Sequence, residues 1–116
     1  MLSNYAISEA TIYSGTVGGT KVEVTDNPNV LIYAFHLLNT TAAAAYLQVF
    51  DADSADVTVG TTTADYVFGL SANGMTTIPL PKPKRHGTGF TIAGTTTAGG
   101  LTGANIQTVI SYVSEA

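Results

Sequence analysis

The chain of 116 residues contains no cysteine, and this absence excludes several classes of chemistry. Disulfide bonds, thiolate metal sites and cysteine nucleophiles all need the missing side chain. A domain of this length buries roughly two-thirds of its extended-chain surface, so it can fold without disulfides or metals. We therefore predict one domain that is stabilised by an apolar core and needs no cofactor.

Charged residues are also scarce. They make up 10% of the chain, with 4 Lys+Arg against 8 Asp+Glu and a net charge of −4, whereas an average soluble domain has about 25%. Nucleic acid is a poor candidate partner, because affinity for phosphate comes from clustered Lys and Arg. A free monomer normally stays soluble by carrying charge. We therefore expect a homo-oligomer with no nucleic-acid partner.

Long hydrophobic runs are missing as well. The longest apolar stretch, residues 30–38, is interrupted by Tyr33 and His36 and has about half the length that a membrane helix needs. Residues 1–7 contain no basic region and no continuous apolar run, which argues against a secretory signal. We expect no membrane partner.

The chain instead alternates strand-like segments with turn residues. Residues 21–25 show the period-2 alternation of a half-buried strand, and the apolar run 30–39 suits a strand buried on both faces. In the last predicted strand, 107–113, odd and even positions form two separate faces. Further strands are predicted at 46–50, 65–70, 75–80 and 90–93. Their spacing predicts an all-β fold, a single β-sandwich or jelly-roll-like domain.

Two segments differ from this pattern. Residues 94–105 are almost purely Thr, Ala and Gly, which predicts a long flexible loop at an exposed edge. Residues 1–20 are predicted to be an N-terminal arm or edge strand beside a sandwich of residues 21–116. Ordering each residue costs roughly 1–2 kcal/mol, so the segment needs a surface to cover. That surface is either a neighbouring subunit or the edge of its own sandwich, as a first strand; the apolar anchors would be Leu2, Tyr5, Ile7, Ile12 and Tyr13.

A basic cluster is the first candidate site. It consists of Lys82, Lys84, Arg85 and His86. Pro81 and Pro83 make the segment extended and unable to pair as a central strand. The sequence leaves two interpretations open, namely an electrostatic contact with an acidic patch on a neighbouring subunit and a solvated loop.

An acidic loop with Asp51, Asp53 and Asp56 is the second candidate, because calcium prefers several carboxylates on one short loop. The EF-hand pattern needs Gly at its sixth position and Glu at its twelfth, where this chain has Asp56 and Thr62. A solvated hairpin loop without a metal is therefore favoured. His36, inside an apolar strand, is expected to be a hydrogen-bonded or interface histidine.

No pattern points to catalysis. The chain has no Gly-x-Ser-x-Gly elbow and no phosphate-cradling glycine loop, so we expect that it is not an enzyme. The six Tyr and four Phe lie mostly within predicted strands and are expected in the core. A carbohydrate-binding surface would need several of them exposed together.

Five segments carry a family resemblance. They are N-T-T at 39–41 continuing to A-Y-L-Q-V-F-D at 45–51, V-G-T-T at 59–62, L-S-A-N-G-M-T-T-I-P-L-P at 70–81, G-T-G-F-T-I-A-G-T-T-T at 87–97, and V-I-S-Y-V at 109–113. In this order the chain resembles a family of small virion proteins of tailed bacteriophages. The resemblance covers residues 39–113, about two-thirds of the chain.

The resemblance implies a function in the phage particle. Its leading form is a capsid decoration (cement) protein, made in the bacterial cytoplasm, that self-associates as a trimer on the capsid surface and staples major capsid protein subunits. The basic segment 82–86 and the acidic loop depart from the family pattern. A tail, baseplate or head-fibre protein therefore stays open, as does a carbohydrate-binding module for host-surface glycans.

Overall fold

Eight β-strands build the part of the chain that the computed structural model describes, residues 11–114. The strands are β1 (Thr11–Val17), β2 (Val22–Thr25), β3 (Val30–Asn39), β4 (Ala45–Phe50), β5 (Tyr66–Leu70), β6 (Met75–His86), β7 (Phe90–Thr95) and β8 (Ile106–Ser114). A 3₁₀ turn at Ser54–Asp56 is the one helical segment within these residues. The predicted all-β fold is confirmed. None of the described residues forms a helix with the length and apolar character to cross a membrane.

The strands form two antiparallel sheets of four. Sheet A has the order β1-β8-β3-β6, and sheet B has the order β2-β7-β4-β5. One apolar core joins them: Phe35 and Ile110 come from sheet A, and Leu47, Phe90 and Ile92 come from sheet B, all without exposed surface. The predicted β-sandwich is confirmed.

The alternation along β8 separates the two faces of sheet A as the sequence predicts. Thr108, Ile110 and Tyr112 are buried toward the core, whereas Val109 and Ser111 between them are partly exposed. The core therefore lies on one side of sheet A.

Strand β3 corrects one expectation. The continuous apolar run predicted burial on both faces, but Tyr33 and His36 are exposed. An irregularity between Ile32 and Ala34 shifts the strand register. Sheet A packs against sheet B on one side only, which leaves the other face of β3 open.

Sheet B, in contrast, is covered on both sides at its central strands β7 and β4. Residues 51–65 fold over its outer face, where Val57 packs against Phe50 and Ala93 in a second apolar cluster. The connection between β7 and β8 covers a neighbouring part, because Gln48 Nε2 donates a hydrogen bond of 3.1 Å to the carbonyl oxygen of Gly100. Every residue of β7 is consequently buried.

The predicted loop at 94–105 is wrong at its beginning. Gly94 and Thr95 are the buried end of β7. A Cβ on Gly94 would lie only 2.7 Å from the carbonyl oxygen of Val17, so glycine permits a close backbone approach here. The Gly and Thr content of this segment predicted a loop, although its first two residues are the buried end of a strand.

Strands β1 and β6 form the two opposite edges of sheet A. Strand β1 pairs with β8 at one edge, so residues 11–17 are an edge strand of the sandwich. Strand β6 lies at the other edge, as Pro81 and Pro83 required, because proline cannot donate to a ladder between two neighbours.

We predict that Gly89→Ala lowers the free energy of unfolding by about 1–3 kcal/mol, the usual cost of overpacking. An added Cβ would lie 2.6–2.8 Å from backbone atoms of Ala52 and Asp53, which cannot move as a flexible side chain would. The matched control is Gly87→Ala in the same turn, where nothing lies within 4 Å. Urea denaturation should show the large loss for Gly89→Ala alone, and equal stability of the two variants would contradict this packing.

Candidate interaction surface

Most of the outward side of sheet A is a continuous surface without formal charge, which we call the uncharged face. It ends at Arg85 of β6, a charged residue that lies opposite Leu31 on the same side of the sheet. Its orientation follows from the burial alternation and the strand register. It consists of Ile12, Ser14 and Thr16 from β1, Gln107, Val109, Ser111 and Val113 from β8, Leu31, Tyr33, Ala34, His36 and Leu38 from β3, and Met75, Thr77 and Pro79 from β6.

The register makes this face continuous across all four strands. Ser14 pairs with Val109, Val109 pairs with His36, and His36 pairs with Thr77. Directly opposite side chains in antiparallel strands have Cβ atoms about 4.5–5.5 Å apart. The row therefore forms one surface that runs from the β1 edge to the β6 edge. His36 Nδ1 lies 3.4 Å from Thr77 Oγ1 within it, as expected for a hydrogen-bonded histidine.

Exposed apolar side chains concentrate on the uncharged face. Ile12 is 57% exposed, Tyr33 38% and Met75 75%. Leu101, on the connection that covers sheet B, is the other large hydrophobic residue in 11–114 with high exposure. The register spreads these side chains over the face, because Ile12 lies in the row of Ser111 and Met75 in the row of Gln107. The face combines them with an absence of Lys, Asp and Glu, as interface cores do, and is therefore the candidate docking surface.

Charged side chains on the sheet B side are used to attach the covering loop. Lys21 Nζ donates hydrogen bonds to the carbonyl oxygens of Ser54 and Val57. Glu23 Oε1 accepts a bond of 2.7 Å from the backbone N–H of Ser54. These contacts hold the 3₁₀ turn against β2, and they place charge away from the uncharged face.

The Asp51 carboxylate fastens the turn between β6 and β7. It accepts hydrogen bonds from the backbone N–H groups of Gly87, Thr88 and Gly89, at 3.2, 2.9 and 3.2 Å. Burial alone would raise the pKa of Asp51, but these three bonds and the nearby His86 together lower it. Asp51 thus acts as a structural acceptor.

The three carboxylates of the acidic loop do not form a metal site. Within residues 11–114 no group of three His, Asp or Glu side chains is close enough to hold an ion. The loop is more than a solvated hairpin, because Val57 is buried beneath it. Asp51 binds the turn at 87–89, whereas Asp56 is exposed.

The basic cluster separates into two environments. Lys82, Lys84 and Arg85 are exposed on the edge strand β6, and Lys84 Nζ lies 5.7 Å from the centroid of the Tyr66 ring. His86 is fully buried. The expectation of a solvated loop is therefore wrong for this segment, because β6 continues to His86 and its last residue pairs with Val30 at the core.

His86 is held between two hydrogen bonds of 2.8 Å. Its Nδ1 faces the carbonyl oxygen of Gly89, so Nδ1 carries the proton, and Nε2 accepts from the Tyr66 hydroxyl. Burial lowers the pKa of His86 and is opposed by the Gly89 hydrogen bond and by the charges of Asp51 and Asp65; Lys84 adds to the lowering. The histidine is therefore a neutral core residue. Burial has the opposite effect on its partner, because it raises the pKa of the Tyr66 hydroxyl.

Two of the predicted N-terminal anchors lie within the described residues. Ile12 belongs to the uncharged face, whereas Tyr13 points to the other side of β1 and packs against the core. Leu2, Tyr5 and Ile7 lie outside the described residues. Sequence reasoning missed most of the uncharged face, including Val109, although the apolar residues in both phases of β8 were a visible signal.

Comparison with known proteins adds no family. No protein-family model matches the chain, and no curated protein is significantly similar to it in sequence. Within the described residues, the uncharged face is therefore the structural feature from which a function can be proposed.

We predict that the protein loses stability as the pH falls from 7 to 5. The pKa of His86 is lower in the folded protein than its ordinary value near 6.5, so the unfolded chain binds more protons in this range and acidification favours unfolding. The lowered pKa of Asp51 has the same sign, and its loss follows below about pH 4.

The free energy of unfolding, measured by urea denaturation at each pH, checks this. His86→Gln should flatten the change between pH 7 and 5, whereas His36→Gln, at an exposed histidine, should leave it as it is. An unchanged slope in His86→Gln would show that another group causes the pH dependence.

Proposed function

We propose that this protein is a structural component of a bacteriophage virion, of the capsid decoration type, which docks on the capsid through the uncharged face of sheet A. The observation that carries the proposal is the face itself: it extends over four strands, a charged residue borders it at Arg85 near the end of β6, and its exposed apolar residues include Ile12 and Met75. The resemblance of residues 39–113 to small virion proteins supports the phage context.

The chemistry of the face suits a permanent neighbour. Many of its side chains, such as Ser14, Thr16 and Thr77, are short, so docking costs little side-chain entropy. The face lacks the Lys and Glu side chains that interface cores also lack. The expected partner surface on the major capsid protein is therefore neutral and partly apolar.

A tail, baseplate or head-fibre protein is the alternative within the same structural class. It would use the same face and differ only in the partner. A glycan-binding module has less support, because Tyr33 is the one exposed aromatic among the large hydrophobic residues of 11–114. Sugar recognition by stacking would need several such rings together.

We predict that Val109→Glu reduces binding to capsids at least tenfold, about 1.4 kcal/mol. Val109 lies in the interior of the face, so docking would bury the new carboxylate without a partner. The matched control is Thr63→Glu, which adds the same charge at an exposed position of the connection over sheet B. Co-sedimentation with capsids measures both, and thermal unfolding verifies that each variant folds.

Equal binding of Val109→Glu and the wild-type protein would contradict docking through this face. The location in the particle is tested separately, by mass spectrometry of purified phage heads and tails. Detection in heads supports decoration, detection in tails supports the alternative, and absence from both contradicts the virion function.

A further inference from the structure

Strand β1 is an edge strand with unusually permissive chemistry. It pairs with β8 on one side, and no other strand within residues 11–114 pairs with it. Its seven residues, Thr-Ile-Tyr-Ser-Gly-Thr-Val, include neither proline nor a charged side chain. Such an edge presents unpaired N–H and C=O groups and is a template for pairing with another chain.

The opposite edge of the same sheet has the reverse character. Strand β6 contains Pro79, Pro81 and Pro83 together with Lys82 and Lys84. Prolines and exposed lysines are the usual protection against strand addition. Sheet A can therefore be extended at β1 and is blocked at β6.

We propose that β1 of one molecule pairs antiparallel with β1 of a second copy, about a two-fold axis that passes through Ser14. This contact joins the two sheets A into one sheet of eight strands. Directly opposite residues in antiparallel strands lie on the same face, so the uncharged faces of both copies form one surface. The pairing does not rest on the virion function.

The register follows from the sequence of β1. An axis at Ser14 pairs all seven residues of the strand, from Thr11 to Val17. Ile12 then lies opposite Thr16 of the second copy. No charged residue meets another, so the net charge of −4 on each molecule does not oppose the contact through local repulsion.

Gly15 favours the same register. An added Cβ at this position would lie 2.8 Å from the Tyr13 hydroxyl oxygen, so the Tyr13 ring covers the glycine within one strand. In the proposed pair, Tyr13 also lies opposite Gly15 of the second copy, so each large ring faces a residue that has no side chain to clash with it.

A second copy is a better occupant than the preceding residues of the same chain. Those residues would have to reverse direction directly before Thr11. Residues 6–10, Ala-Ile-Ser-Glu-Ala, contain Ser8 but no Gly, Pro, Asn or Asp, which are the residue types that most favour a tight hairpin turn.

Disulfide trapping tests the pairing. Because the chain contains no cysteine, a single introduced cysteine can form a disulfide only with the same residue of a second copy. In the proposed register the two Ser14 residues face each other, with Cα atoms about 4.5–5.5 Å apart, within the range of a disulfide. Ser14→Cys should give a covalent dimer under mild oxidation. Thr77→Cys, equally exposed on the same face but at the β6 edge, should stay largely uncrosslinked.

Light scattering of the unmodified protein gives a second measurement. We expect about twice the chain mass of 11.9 kDa at micromolar concentration. The mass of one chain, or the mass of three that the phage resemblance implies, would overturn the two-fold pairing, and so would equal crosslinking of the two cysteine variants. Val109→Glu should leave the dimer intact, so a failure of capsid docking is distinguishable from a failure of this contact.

Discussion

The hydrogen bonds between the Asp51 carboxylate and the backbone of residues 87–89 hold the loops of sheet B in place. Together with the contacts of Lys21 and Glu23 to the 3₁₀ turn, they keep residues 51–65 over the outer face of that sheet. The central strands of sheet B are thus buried on both sides. Many of the few charged residues serve this attachment or lie on β6. The outward side of sheet A is therefore largely uncharged, with Arg85 opposite Leu31 near the end of β6.

Much of the fold could be predicted from the sequence, where local signals were unambiguous. The alternation of β8 assigned its two faces, and Pro81 and Pro83 excluded a central strand position for their segment, which the structure places at the end of the edge strand β6. The faces of β3 could not be assigned, because a continuous apolar run fits burial on one side or on both. Which applies depends on whether loops cover the sheet, and that is a property of the whole fold. The prediction of a loop at Gly94 was wrong for a similar reason. The close approach of the Val17 backbone explains why a buried strand has glycine there, and the sequence does not show that approach.

The candidate surface was harder to predict than the strands. Its residues come from β1, β8, β3 and β6, which are distant in sequence and adjacent only through the sheet order. His86 shows the opposite error. It stands beside Lys84 and Arg85 in the sequence, but the end of β6 turns it into the core against Tyr66. Proximity in sequence suggested a shared function, whereas the position at the end of the strand decided its environment.

The contrast between the two edges of sheet A also limits how large an assembly can grow. A two-fold contact uses the same strand from both molecules, so it consumes both permissive edges at once. The ends of the joined sheet would then be the two β6 strands, whose prolines and lysines resist further addition. Strand pairing through sheet A would therefore stop at a closed pair. Two uncharged faces fixed side by side would also bind a repeating surface with higher avidity than either alone, because the second contact needs no further search.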